Sequence, residues 1–142
     1  MPKRKAQSKW QGTLKKGKGK IKLGSGAFEG QYSFRSRFKE GSGTNPEELI
    51  GAAHSGCFAM ALSKVLEEAG YPPDEIDAEA GVKLENVDGN FKITAIELTV
   101  SGKVPGVDET TFQEKANDAK ENCPVSQALS EDVAVSLQAE LV

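Results

Sequence analysis

The sequence predicts an α+β domain. Three observations carry this: apolar alternation of period two at both ends and in the middle of the chain, one long apolar segment punctuated like a helix at each end, and a second helical pattern ahead of the last strand. At 142 residues the chain has the size of one domain and can bury a core without metals or staples, so residues 1–142 are expected to form a single domain with a basic hairpin region over 1–40.

The first 40 residues read as β. Trp10–Leu14 and Lys20–Leu23 flank a turn over Lys15-Lys16-Gly17-Lys18-Gly19. Tyr32, Phe34, Ser36 and Phe38 then fall on one face of a predicted strand, with Ser33, Arg35 and Arg37 on the other, so Arg37 is expected to point away from Phe34 and Phe38. The first helix is clearly bounded. Asn45 suits an N-cap, Pro46 the first helical position, and Glu48 the acid of a capping box; Gly70 marks the stop and Pro72-Pro73 forbid continuation. Apolar and small residues surround most of its circumference from Leu49 to Leu66, which predicts a central, buried helix.

Paired strands follow. Ile76, Ala78, Ala80, Val82 and Leu84 alternate, Asn86–Asn90 makes the turn, and the return strand begins with Phe91 and Ile93. Its apolar phase then jumps to Ile96, Leu98 and Val100, which predicts a bulge near Thr94-Ala95. Asp108–Asn122 reads as the second helix, with Phe112, Ala116 and Ala119 on one side. A short helical turn follows Cys123-Pro124 up to Leu129, and Val133, Val135, Leu137, Ala139 and Leu141 close the chain as a strand.

Charge narrows the functional classes. The net charge is −3, against a generally basic nucleic-acid binder, yet nine of the 18 basic residues (Lys3, Arg4, Lys5, Lys9, Lys15, Lys16, Lys18, Lys20 and Lys22) precede the first acid, Glu29. A non-enzymatic stress-response or nucleic-acid-binding module using this hairpin is therefore the rival reading, although no recognised binding motif accompanies the charge. No stretch reaches the ~20 apolar residues expected of a membrane span, and the basic start is not followed by the apolar run of a secretory signal. The expected setting is the cytoplasm, where thiols stay reduced and a transient bridge is more plausible than a structural one.

The chemistry concentrates at two cysteines. Cys57 lies eleven residues beyond Pro46, out of reach of the helix dipole and among apolar neighbours that push a thiol pKa upward. Only a thiolate is a good nucleophile, so a reactive Cys57 needs a cation from elsewhere, and a fixed arginine is the best candidate. Cys123 precedes Pro124 and caps a short helix, which favours it locally as the more acidic thiol. Other readings stand beside a redox pair. Cys57 could be helix filler, since free cysteine is among the most buried residue types. His54 lies three positions before it, close enough in helical phase to face the same way as an acyl-transfer partner, although no peptidase-family pattern accompanies the pair. One histidine and two cysteines fall short of a four-ligand zinc set.

The run Gly43-Thr44-Asn45-Pro46-Glu47-Glu48-Leu49-Ile50-Gly51-Ala52-Ala53-His54-Ser55-Gly56-Cys57-Phe58, followed later by Asn122-Cys123-Pro124-Val125-Ser126, resembles the OsmC/Ohr family of osmotically inducible protein C and organic hydroperoxide resistance proteins. Trp10-Gln11-Gly12, Lys16-Gly17-Lys18-Gly19, Arg37-Phe38 and Val104-Pro105-Gly106-Val107 fall in the family's order, so the resemblance covers nearly the whole chain. The Gly-Ala-Ala-His segment and Arg37-Phe38 are closer to the OsmC branch than to the Ohr branch.

The resemblance implies a cysteine-based peroxidase acting on organic hydroperoxides, with two central helices packed between β-sheets in an intertwined homodimer and active sites at the subunit interface. It implies Cys57 as the peroxidatic thiol, Cys123 as the resolving thiol that closes a Cys57–Cys123 disulfide, and Arg37 paired with Glu47 as the activating cation and its orienting acid. An external dithiol, with dihydrolipoyl groups known in the family, would reduce the disulfide; no metal, haem or flavin is implied. Glu47 precedes Cys57 by ten residues, about 15 Å along one straight helix, so Glu47 and Arg37 are expected to serve the Cys57 of the other subunit. Phe38, Leu49, Ile50, Phe58 and Met60 are candidates to line an apolar peroxide pocket.

Overall fold

The computed structural model describes all 142 residues, in the order β1 (Ala6–Gln11), β2 (Lys18–Leu23), β3 (Glu29–Tyr32), α1 (Phe34–Phe38), α2 (Pro46–Glu68), β4 (Glu75–Val87), β5 (Asn90–Lys103), α3 (Glu109–Asn122), α4 (Pro124–Ala128) and β6 (Ala134–Leu141). This is an α+β chain with two three-stranded sheets. It divides into two compact units, residues 1–49 and 50–142, which are described in turn.

In the first unit β1, β2 and β3 form an antiparallel meander in which Gln7 faces Lys22 and Lys9 faces Lys20. The hairpin turn lies earlier than the lysine-glycine run suggests: Lys18 and Gly19 belong to β2, and Leu14 is outside β1. Trp10 and Tyr32 pack with ring centroids 5.3 Å apart on one face of the meander. The alternation leaves Lys9, Lys18, Lys20 and Lys22 on the opposite face.

The predicted strand over Tyr32–Phe38 ends at Tyr32, and Phe34–Phe38 is helical. Ser33 explains the switch. Its side chain accepts the Ser36 N–H while Ser36 Oγ accepts the Ser33 N–H, a reciprocal cap that starts a helix without a preceding hydrophobic run. Phe34 and Phe38 share a face in either conformation, at spacing four in a helix or by alternation in a strand. Their rings stand 4.9 Å apart.

The rest of α2 belongs to the second unit, and its punctuation is as the sequence suggests. Gly70, at φ +90°, takes a left-handed turn that a side chain would strain, and Tyr71 N–H returns to the Leu66 carbonyl at 2.8 Å. The helix buries a stripe (Gly51, His54, Phe58, Leu62, Leu66) and leaves Ala52, Ala53, Gly56 and Met60 exposed, so within one chain it is buried on one side only. A Cβ on Gly51 would stand 3.0 Å from the Ala80 carbonyl; glycine is what lets α2 lie close to β4. By length and composition α2 could cross a membrane, with mean hydropathy 1.4, contrary to the sequence expectation. Leucine, isoleucine, phenylalanine and alanine raise that average, and its buried stripe packs against a protein core.

That core joins Phe58, Leu62 and Leu66 to Ile96, Leu98 and Val100 of β5 and to Phe112, Ala116 and Ala119 of α3. Each of the larger side chains contributes about 1.5–3 kcal/mol through burial. β4 and β5 pair antiparallel through a two-residue turn, Asp88-Gly89, both at positive φ (52° and 85°). Pairing passes from Lys83–Ala95 to Leu84–Ile93, so Thr94 is the extra residue of the expected bulge; its hydroxyl donates to Glu85. β6 joins β5 in parallel, which the crossover through α3 and α4 makes possible.

Candidate functional site

α1 and the first turn of α2 fix a charge pair in the first unit. Buried Ser36 donates from Oγ to the Thr44 carbonyl at 2.7 Å, and Asn45 Nδ2 donates to the Ser36 carbonyl at 3.0 Å. Asn45 Oδ1 also accepts the Glu48 N–H at 2.7 Å, the N-cap expected from the sequence. Glu48, however, does not close the capping box: its carboxylate accepts from Thr44 Oγ1 at 2.7 Å. Glu47, on the same turn, receives Arg37 Nε at 2.9 Å, with the Glu47 side chain 9% exposed and that of Arg37 35%.

Arg37 does not point away from Phe38. Its guanidinium lies over that ring, 5.2 Å from the centroid, so helical geometry overturns the expectation drawn from a strand. Only Nε of Arg37 is used within the chain, and Glu47 Oε2 is buried without a hydrogen-bond partner. Arg35 is committed elsewhere, to the Glu40 carbonyl at 3.2 and 3.3 Å. Of the two arginines in α1, Arg37 is the one held by a carboxylate.

The second unit assembles the sulfur groups. Cys57 stands three turns into α2, half-buried, and Cys123 is buried at the junction of α3 and α4; both are free thiols. Burial pushes the Cys57 thiol up; a Val125 backbone N–H opposes this, while the neighbouring Cys123 thiol and its charge push it further up. Burial also pushes Cys123 up, but the Ser126 hydroxyl and N–H, the Cys57 thiol and the Val125 N–H outweigh it and hold Cys123 below the usual thiol value. Ser126 N–H donates to Cys123 Sγ at 3.4 Å, and Ser126 Oγ lies 3.4 Å from the same sulfur. The local argument from sequence, a more acidic Cys123, agrees with this geometry.

His54 meets a different partner from the one its spacing suggests. It is fully buried, with Nε2 2.7 Å from Ser126 Oγ and Nδ1 without a partner, rather than paired with Cys57. Burial lowers its pKa, so the ring is neutral at neutral pH. Ser126 had no assigned role in the sequence; its position three residues after an N-cap cysteine was the available signal. The proposed pocket lining also divides, because Phe58 is a core residue while Met60, on the far side of α2, is 77% exposed.

The lysine face of β1–β3 borders a groove of about 560 Å³, lined also by Gln7, Gln31 and Glu29, with Glu29 bound to Lys20 at 2.9 Å. None of the four residues singled out for chemistry lines it.

A family model described as OsmC-like protein matches residues 39–138. Peroxiredoxin OsmC of Escherichia coli (strain K12) is 48% identical over 136 residues, covering 95% of either chain. Organic hydroperoxide resistance protein OhrB of Bacillus subtilis (strain 168) is 39% identical over 102 residues, 70% of this chain and 73% of its own. Among solved structures, an organic hydroperoxide resistance protein from Elizabethkingia anophelis superposes with TM-score 0.78 at 25% identity, over 97% of this chain and 96% of that one. Sequence, fold and family motif agree, and the chain belongs to the OsmC-like family.

Proposed function

We propose that this chain is a thiol-dependent peroxidase that reduces organic hydroperoxides to alcohols. The observation that carries the reading is the mutual influence of two free thiols from different elements, Cys57 on α2 and Cys123 at the α3–α4 junction: the Cys123 thiol raises the pKa of Cys57, and the Cys57 thiol lowers that of Cys123. Relatives named as a peroxiredoxin and as organic hydroperoxide resistance proteins support the same class of reaction. The Cys57 thiolate attacks one peroxide oxygen; an S–O bond forms, the O–O bond breaks, and the alkoxide leaves and takes up a proton as the alcohol. Cys123 then attacks the Cys57 sulfenic sulfur. The S–S bond forms, the S–O bond breaks, and hydroxide leaves as water with the proton that Cys123 gave up. An external dithiol returns both sulfurs to thiols by exchange, so the cycle uses no bound cofactor.

The attacking thiol needs a cation, because burial alone raises its pKa. Arg37, held at Nε by Glu47, is assigned that role, and its free terminal nitrogens suit a thiolate or a peroxide oxygen. Glu47 precedes Cys57 by ten positions of one helix, about 15 Å of rise. We therefore assign the activating pair to a second subunit, in a homodimer with two interfacial sites. The exposed apolar face of α2, Ala52, Ala53, Gly56 and Met60, supports such a partner.

The test is turnover of an organic hydroperoxide with a dithiol, in wild type, Cys57→Ser and Cys123→Ser. Cys57→Ser is expected to lose activity entirely. Cys123→Ser should consume one equivalent of peroxide and form no intramolecular disulfide. Retained turnover in Cys57→Ser would overturn the assignment.

A further inference from the structure

The histidine of α2 is not used by the peroxidase reading, yet it is fully buried and ends on the resolving thiol's own neighbour. We infer that His54, acting through Ser126, is a positioning residue that aims a hydroxyl proton at Cys123 and keeps that sulfur ready to attack. This rests on the reading above, in which Cys123 resolves the Cys57 sulfenic acid.

The tautomer follows from what each ring nitrogen touches. Nδ1 is buried with no partner, and a buried N–H left unpaired is rarer than a buried lone pair. The proton therefore sits on Nε2, which donates to Ser126 Oγ at 2.7 Å. With one lone pair of Oγ engaged, the Ser126 hydrogen turns to Cys123 Sγ, 3.4 Å away, and the Ser126 backbone N–H donates to the same sulfur at 3.4 Å. One residue thus supplies two donors to Cys123, and His54 fixes the rotation of the mobile one. Burial keeps the imidazole neutral, so its part is orientation rather than charge. The titratable groups on α2 near Cys123 are Cys57, whose thiol lowers the Cys123 pKa, and His54, which reaches it through Ser126; α4 contributes the uncharged Ser126 and the Val125 N–H.

In the resolving step the thiolate held by these donors attacks the sulfenic sulfur. The S–S bond forms, the S–O bond breaks, and the leaving hydroxide takes the proton released by Cys123. The donors favour the thiolate before attack and release it as the new bond forms. Hydrogen bonds to a charged group are the stronger kind, so losing the Ser126 hydroxyl is expected to slow disulfide closure about three- to tenfold near neutral pH, part of the lost thiolate being offset by a more nucleophilic sulfur.

The primary experiment uses no peroxide. In Cys57→Ser protein, where Cys123 is the remaining thiol, the rate of iodoacetamide alkylation is followed against pH. Ser126→Ala and His54→Leu are expected to move the midpoint upward. Ser126→Thr keeps a hydroxyl, and His54→Gln keeps a neutral N–H near the Nε2 position, so both should hold it. If His54→Leu does not fold, Ser126→Ala, at a half-buried position, decides alone. A midpoint that stays in place in Ser126→Ala overturns the inference. The titration reads the relay even if wild-type protein proves unable to reduce hydroperoxides, which separates failure here from failure of the peroxidase assignment. If that assignment holds, disulfide closure after one equivalent of peroxide gives the second readout, and an unchanged rate in Ser126→Ala counts against the relay.

Discussion

The two thiols are neighbours, yet the chain treats them oppositely. Cys57 sits in the middle of a helix, where burial and the adjacent sulfur raise its pKa and one backbone N–H opposes them. Cys123 sits where α3 stops and α4 starts, and the break in regular structure brings a hydroxyl and backbone N–H groups onto its sulfur. A helix interior has already spent its N–H groups on its own carbonyls, whereas a junction has donors to give. The fold of one chain thus prepares one thiol, Cys123, and leaves Cys57, the first to react in the proposed cycle, unprepared. In our reading the preparation of the first comes from a partner, which makes peroxide attack depend on assembly and resolution depend on local structure.

Arg37 tests that asymmetry most severely. If the partner subunit's Arg37 activates Cys57, Arg37→Ala should slow peroxide reduction about 10- to 100-fold at neutral pH, the effect of losing a close cation. Alkylation of Cys123 should not change. Equal effects on both thiols would dissolve the contrast and imply general loosening. The variant also leaves Glu47 buried without its ion pair, so its thermal midpoint should be recorded beside the rate; Arg37 is about a third exposed, which tempers that cost.

Glu47→Gln divides charge from orientation. The amide oxygen can still accept from Arg37 Nε, but hydrogen bonds between an ion and a neutral group are weaker than those between two ions, so the guanidinium is held less firmly. The expected loss of peroxide rate is about threefold, without the upward move of the Cys57 titration expected when Arg37→Ala removes the proposed cation. A loss as large as that of Arg37→Ala would mean that fixing the guanidinium matters as much as its charge.

How much of this was readable before the fold follows from where each signal lies. The long helix was legible because Asn45, Pro46 and Gly70 are local devices, and the Thr94 bulge because the apolar phase visibly slips between Ile93 and Ile96. Phe34–Phe38 was not, because spacing four places both rings on one face under either period, and the deciding contact is a serine pair rather than an apolar pattern. Cys57 and Cys123 stood out by chemistry. Ser126 did not, since its partner His54 lies 72 positions away and only tertiary structure brings them together. The parallel attachment of β6 is likewise a property of the crossover, invisible in the strand's own alternation.

The smallest expected effect sharpens the contrast from the side of stability. His54 is held neutral by burial, with its pKa below the ordinary histidine value. In the unfolded chain the ring takes up a proton as pH falls below about 6.5, while the folded chain resists until its lower pKa is reached. The unfolded state therefore binds more protons in that interval. This contribution to stability is fully present above about pH 6.5 and declines as pH falls toward the folded pKa, by at most about 1.4 kcal/mol per pH unit. Urea midpoints at pH 7.5 and 5.5 should draw apart more in wild type than in His54→Gln, which retains a donor for Ser126 but has no titratable ring. Carboxylates common to both proteins cancel in the comparison. His54→Gln should then hold the Cys123 midpoint and flatten the acid dependence together, because orientation needs only a neutral N–H at that position whereas acid sensitivity needs an imidazole. Identical acid slopes would show that the ring is not kept neutral by the fold.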